Sequence, residues 1–187
     1  MDASGYIYAK SLTTQNNLYD GAYLHSNSGT VTVTGRNYFR DNGYYGLCVL
    51  ANGNVSVGNA VVWSNGWEGV LVEAGTGNIV VYNITAAHNK GTGVLLDSDG
   101  TFFTVINVTA FLNGQDDLGN LIDDGLAIYT DNAASLIIII NSTFMTNWWG
   151  SGIEIDHPYG YNPALFWPTL INVSYLSNGG PNLYVHS

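Results

Sequence analysis

Two carboxylates, Glu73 and Asp97, stand one repeat apart, and each closes a short alternating apolar run, Gly69-Val-Leu-Val-Glu73 and Gly93-Val-Leu-Leu-Asp97. If those runs are neighbouring parallel strands, the two acids share one face roughly 5 to 10 Å apart. At that separation one acid can protonate a glycosidic oxygen while the other serves as nucleophile or base. Asp156 ends Gly152-Ile-Glu-Ile-Asp156 and belongs to the same column. Solvated surface acids would occupy these positions equally well, so the three are candidates for a carbohydrate-cleaving role that ranks second to a structural one.

A second group of acids, Asp116, Asp117, Asp123 and Asp124, crowds the stretch from Gly114 to Asp124 with no base among them. Oxygen-rich loops of this kind suit calcium, although the spacing matches no EF-hand. Calcium is therefore the one cofactor the chain would suit, and none is required. Aromatic residues precede several of the apolar runs: Tyr44 and Tyr45, Trp67, then Trp148 and Trp149. Aligned on one edge they would make a platform for sugar rings or a dry contact with another subunit. Four histidines, His25, His88, His157 and His186, lack transition-metal spacing.

Composition removes other classes. The 187 residues carry 14 acids against four bases, Lys10, Arg36, Arg40 and Lys90, for a net charge of −10. No surface is basic enough to neutralise a run of phosphates, so nucleic acid is not expected as a partner. The longest aliphatic stretch, Leu136 to Ile140, is far shorter than the roughly 20 residues that span a bilayer, and no basic-then-apolar leader opens the chain. Cys48 is the single cysteine, which excludes an internal disulfide.

Positioning these groups is the task of a repeat. A small residue precedes an alternating strand seven times, at Gly21, Gly46, Gly69, Gly93, Gly125, Gly152 and Asn182, with 23 to 32 residues between successive starts. Between these strands a β-branched run ends in asparagine at Asn59, Asn83, Asn107, Asn141 and Asn172. Six residues later comes another, at Asn65, Asn89, Asn113, Asn147 and Asn178. Asn37 with Asn42 repeats the pattern one residue shorter. Asparagine tolerates left-handed backbone geometry and pairs its amide with an identical amide one coil away, so two asparagine ladders are expected. Five Asn-x-Ser/Thr sequons occur, and four coincide with the first ladder, which generates them by itself.

These registers, with units such as Asn65-Gly-Trp-Glu-Gly69-Val-Leu-Val and Asn89-Lys-Gly-Thr-Gly93-Val-Leu-Leu, resemble the right-handed parallel β-helix repeat family, the pectate-lyase-like solenoids. The resemblance covers nearly the whole chain. It implies an all-β, single-stranded solenoid of about seven coils forming one domain over residues 1–187, with loop insertions in the fifth and sixth coils. It implies no single activity, because polysaccharide lyases, glycosidases, phage tailspikes, adhesins and surface proteins share the architecture. The Gly-His-Gly and Arg-Ile-Lys signatures of polygalacturonase-like members are absent, and the bases are too sparse for lyase chemistry, so no catalytic residue carries over.

Alternation sorts each first strand into two faces. Inward fall Ala22, Leu47, Val70, Val94, Leu126, Ile153 and Leu183. Outward fall Tyr23, Cys48, Leu71, Leu95, Ala127, Glu154 and Tyr184, again mostly apolar. If the first-ladder asparagines point inward, the residues before them, among them Tyr82, Ile106, Ile140 and Ile171, point outward. Contiguous outward apolar columns predict a partner surface. Neither terminus reads as a polar cap, so the chain is expected to be a fragment of a longer solenoid or to stack on copies of itself. The leading expectation is an extracellular or cell-surface structural protein that self-associates into a filament, sheath or layer. The alternative is a carbohydrate-binding or carbohydrate-cleaving module.

Overall fold

The computed structural model describes residues 1–114, 124–132, 134–148, 150–156 and 168–186, and every regular element among them is a β-strand. Sheet A stacks β1 (Asp2–Ala3), β4 (Ala22–Ser26), β7 (Leu47–Ala51), β9 (Val70–Glu73), β11 (Val94–Asp97), β13 (Leu126–Tyr129), β16 (Ile153–Asp156) and β19 (Leu183–His186) in that order. Sheet B begins with β2 (Ile7–Lys10), β3 (Thr13–Gln15), β5 (Val31–Thr34) and β6 (Asn37–Arg40). It continues through β8 (Val55–Trp63), β10 (Ile79–Ala87) and β12 (Phe102–Phe111) to β14 (Leu136–Ile140), β15 (Thr143–Met145), β17 (Thr169–Ile171) and β18 (Ser174–Leu176). All pairings are parallel, as in β9 with β11 and β10 with β12. The chain is a parallel β-solenoid of six to seven coils. Of the two expected insertions, residues 115–123 and 157–167 lie outside the described residues.

Two bends per coil shape sheet B, and each is made by a residue in the left-handed region. The first bend uses Ser11, Asn59, Asn83, Asn107, Asn141 and Asn172, with φ between 50° and 55°, and Gly35 at 75°. The second uses Asn16, Asp41, Ser64, His88, Leu112, Thr146 and Ser177. Short polar side chains tolerate this region because they bond locally, which explains most of both columns. Leu112 and Thr146 have no such excuse and carry backbone strain.

The second-bend residue immediately precedes the inner ladder. Asn17, Asn42, Asn65, Asn89, Asn113, Asn147 and Asn178 pass one amide hydrogen bond from coil to coil, each Nδ2 donating to the next Oδ1 at 2.8 to 3.2 Å. The same Oδ1 also accepts the preceding asparagine's backbone N–H, as when Asn89 Oδ1 accepts Asn65 N at 3.1 Å. Buried backbone donors at the corner are thereby satisfied. The glycine four residues later follows from this. A Cβ on Gly46, Gly69 or Gly93 would stand 2.7 to 2.8 Å from the Nδ2 of Asn65, Asn89 or Asn113, so the glycine of one coil makes room for the amide of the next.

The outer ladder departs from expectation in two ways. Its amides do pair, Asn83 to Asn59, Asn107 to Asn83 and Asn172 to Asn141, each at 3.0 Å. Their side chains face outward, however, because the left-handed bend turns the residue out of the alternation, and Asn83, Asn107, Asn141 and Asn172 are exposed. Asn37 is not a member. Gly35 makes its bend and Arg36 is an extra residue, so Asn37 aligns with Ala60 rather than Asn59. Its buried amide accepts Leu12 N at 3.0 Å and donates to Gly58 O at 2.9 Å, tying three coils together.

The inward columns form one continuous core. Val49, Val72, Leu96, Ile128 and Ile155 of sheet A meet Val57, Val81, Val105 and Ile139 of sheet B, with Phe39, Phe103 and Phe144 fully buried among them. Toward the ends Ala22, Leu170, Leu183 and Val185 are only partly buried against it.

Candidate functional surface

Sheet A sets out the acidic column in the expected order. Leu50, Glu73, Asp97, Tyr129, Asp156 and His186 are in register on successive strands. Adjacent coils lie about 4.8 Å apart, so Glu73 and Asp97 are neighbours and Asp156 is two coils from Asp97. Both side chains of the pair are exposed. Asp97 titrates above the usual carboxylate range, chiefly through partial burial and then through the charges of Glu73, Asp99 and Asp131. Tyr129 fills the place between Asp97 and Asp156. Its phenol is also pushed up, by burial and then by Glu154, Asp124 and Asp156.

The outward apolar column of sheet A is in register from Tyr23 through Cys48, Leu71, Leu95, Ala127 and Glu154 to Tyr184. Its middle is not an open stripe. Cys48, Leu71 and Ala127 are 3%, 8% and 0% exposed, leaving Tyr23 and Tyr184 at its ends as its exposed members. Small side chains disappear between larger neighbours, as Cys48 does between Tyr23 and Leu71. Burial first, then Asp20, Glu73 and Glu68, pushes the Cys48 thiol up to about 12, which disfavours the reactive thiolate. The second-strand row behaves differently. Tyr82, Ile106, Ile140 and Ile171 are in register on β10, β12, β14 and β17, and all are at least partly exposed.

An aromatic edge runs along the approach to sheet A. Tyr19 and Tyr44 stack with centroids 5.7 Å apart and planes at 13°, and Tyr44 meets Trp67 edge-on at 5.1 Å. Tyr45 closes on Trp67 from the other side at 5.4 Å. The run stops at the fourth coil, where Gly91 takes the equivalent position and bonds to Trp67 O. Trp148 is exposed but sits one position earlier, on the amide that bonds Asn113 O at 3.0 Å. Trp149 lies outside the described residues. The edge precedes β9 and the acidic pair follows it, so the two candidate sites occupy opposite ends of the same strands.

The acid that does adjoin the aromatic edge is Glu68, which the sequence reading passed over. It belongs to a polar column directly before the strand glycines: Asp20, Tyr45, Glu68, Thr92, Asp124 and Ser151. Asp20 Oδ1 accepts Tyr45 N at 3.3 Å, Thr92 Oγ1 accepts Asp124 N at 3.2 Å, and Asp124 Oδ1 accepts Ser151 N. Glu68 is mostly buried, its Oε2 has no hydrogen-bond partner, and burial raises its pKa. Its carboxyl lies above Gly91, where a Cβ would stand 3.2 Å from Glu68 Cδ. Polarity at every position before a strand glycine was the signal available for finding it.

Of the proposed calcium ligands only Asp124 falls among the described residues. Asp124 is buried in the wall of the solenoid, bonded to Ser151 N, while Asp116, Asp117 and Asp123 lie outside the described residues. Among the described residues no three His, Cys, Asp or Glu side chains are grouped to hold a metal. The turn Asp97-Ser98-Asp99-Gly100 is held by Ser98 Oγ, which accepts Gly100 N at 2.9 Å and donates to Gly77 O at 2.6 Å. His88 packs on Trp63 at 4.5 Å. No helix among the described residues is long and apolar enough to cross a membrane.

Comparison with known proteins found no match among curated proteins or solved structures. One family model, described as right handed beta helix region, matches residues 1–144. That span takes in the ladder asparagines up to Asn141 and the strand glycines up to Gly125. On this match, and on the coil-by-coil stacking described above, the chain belongs to the right-handed β-helix family.

Proposed function

We propose that this chain is a structural β-solenoid that self-associates side by side into a filament, sheath or layer, outside the cell or at its surface. The observation that carries the reading is the apolar row Tyr82, Ile106, Ile140 and Ile171, in register on four successive strands and 45% exposed at Ile171. Phe102 and Leu136, also paired in register and exposed, widen it toward the start of the strands. A contiguous apolar strip of this kind favours a partner over water. The test is electron microscopy of the purified protein over a concentration series, beside the Ile106→Lys/Ile140→Lys variant. Ordered particles that vanish in the variant support the reading, and a monomer at every concentration overturns it. Repeating the series with a chelator tests calcium at the acidic insertion.

A second reading has its own support. Exposed, mutually packed Tyr19, Tyr44 and Trp67 are the kind of ring array on which sugars stack. A glycan-binding or glycan-cleaving module would lose binding with Trp67→Ala. If Glu73 and Asp97 performed hydrolysis, Glu73→Gln or Asp97→Asn would abolish sugar release. No glycan retained on an array and no sugar released would dismiss this reading.

A further inference from the structure

Three of the chain's four bases gather in one small area of sheet B. Lys10 ends β2, and a Cβ on Gly35 would stand 2.9 Å from its Cγ, so its stem runs along the bend that Arg36 follows. Arg36 lines a groove of about 400 Å³ with Tyr38, Asn59 and Asn83. Arg40, at the end of β6, lines an adjoining groove of about 300 Å³ with Tyr38 and Trp63. Arg40 Nε is 2.7 Å from Asp41 Oδ2, with both side chains substantially exposed. Lys10 and Arg36 form no ion pair among the described residues.

On a different side of the solenoid, four exposed acids cluster where sheet A turns toward sheet B. Glu73 and Asp97 are adjacent in register, Asp99 follows two residues on, and Asp131 donates its backbone N–H to Asp99 Oδ1 at 3.0 Å. None of the four is in an ion pair among the described residues, and Asp97 is raised by partial burial first and then by the charges of Glu73, Asp99 and Asp131. The two patches match in size. Glu73 to Asp131 spans two coils, about 10 Å, and Arg36 to Arg40 spans four residues of strand, about 13 Å.

We infer that the basic patch of one copy, Lys10, Arg36 and Arg40, docks on the acidic corner of a second copy, Glu73, Asp97, Asp99 and Asp131. The inference rests on the self-association reading and names its orienting contact. Because the two patches lie on different faces, the contact is heterologous and each copy keeps one patch open for the next, which gives an open-ended assembly. Charge complementarity across such a contact sets register and association rate, and salt screens it.

The test is sedimentation velocity of the full chain over a concentration series at low and high salt. It includes the variants Arg36→Glu/Arg40→Glu and Glu73→Arg/Asp97→Arg, separately and mixed. Wild type is expected to associate at low salt and to weaken roughly tenfold or more at high salt, where the screening length falls to about 3 Å. Each variant alone should lose association. Their mixture should regain it, because one retains the native acidic corner and the other the native basic patch. All altered side chains are at least partly exposed, and circular dichroism verifies folding; the salt response of wild type needs no variant at all. Association that ignores both salt and charge reversal overturns this contact and leaves the self-association reading standing. A wild-type monomer under every condition overturns both. Lost association that mixing fails to restore overturns the pairing of these two patches.

Discussion

Replacing Asn89 by alanine removes the middle rung of the inner ladder, and its cost can be worked from the bonds it makes. Asn89 is fully buried. Its Oδ1 accepts Asn65 Nδ2 at 2.9 Å and Asn65 N at 3.1 Å, while its Nδ2 donates to Asn113 Oδ1 at 3.0 Å and Val62 O at 3.3 Å. After truncation Asn65 Nδ2 keeps Phe39 O and Asn113 Oδ1 keeps Asn89 N, so neither is orphaned. The backbone N–H of Asn65 loses its acceptor inside the solenoid. One unsatisfied buried group costs about 1 to 3 kcal/mol, and the lost amide bonds and the void beside Gly69 bring the total to about 3 to 5 kcal/mol. Asn17→Ala is the internal control. Asn17 is exposed and its amide donates only onward to Asn42, so its loss should cost less than about 1 kcal/mol. Urea unfolding followed by circular dichroism and tryptophan fluorescence separates the two. Broken coincidence of the two probes would show the solenoid parting at the missing rung rather than melting as a unit. Equal costs for Asn89→Ala and Asn17→Ala would refute the argument that the ladder stabilises through buried corner donors.

Thr146→Asn should stabilise the fold by about 1 kcal/mol, because threonine is held at φ 52° where its neighbours in the column are mostly short polar residues; no change in the urea midpoint would count against strain there. Gly58→Val should destabilise by about 2 to 3 kcal/mol, since a Cβ at Gly58 falls within the ring of Tyr82 from the next coil. Most of that cost should disappear in the background of Tyr82→Ala, as read from a double-mutant cycle. Asp97→Asn should raise the melting temperature near neutral pH. Folded Asp97 titrates above its ordinary 3.8, so the folded state binds more protons than the unfolded one between that value and the raised one, and stability falls as pH rises through this window. The gain should be absent well below 3.8, where both states are protonated; a gain independent of pH would point to a cause other than charge.

How much of this was legible beforehand depended on whether a signal was local. The glycines at 46, 69 and 93 and the asparagines at 65, 89 and 113 announce the coil directly. One needs a small residue where an amide passes and the other needs an amide that can pair with its own copy. Asn17 bears the same spacing to Gly21 and belongs to the same ladder. Asn37 misled because its interval to Asn42 looks like a shortened copy of the outer-to-inner spacing, whereas Arg36 is the added residue and moves Asn37 inward. Alternation places Cys48 and Ala127 on the outward side, and both are buried. It carried no information about whether neighbours would cover them.

The amino-acid sequence by itself determined the parallel solenoid, its period, its continuous apolar core and the in-register acidic and apolar columns. Each of these repeats identical local requirements: a left-handed bend, an amide that meets its own copy, and two-residue alternation. Only the tertiary structure decided which outward residues reach solvent, that the aromatic edge and the acidic pair stand at opposite ends of the strands, and that Glu68 is the carboxyl beside the rings. Those outcomes depend on side chains from three or more coils meeting across the stack, and no single repeat contains them.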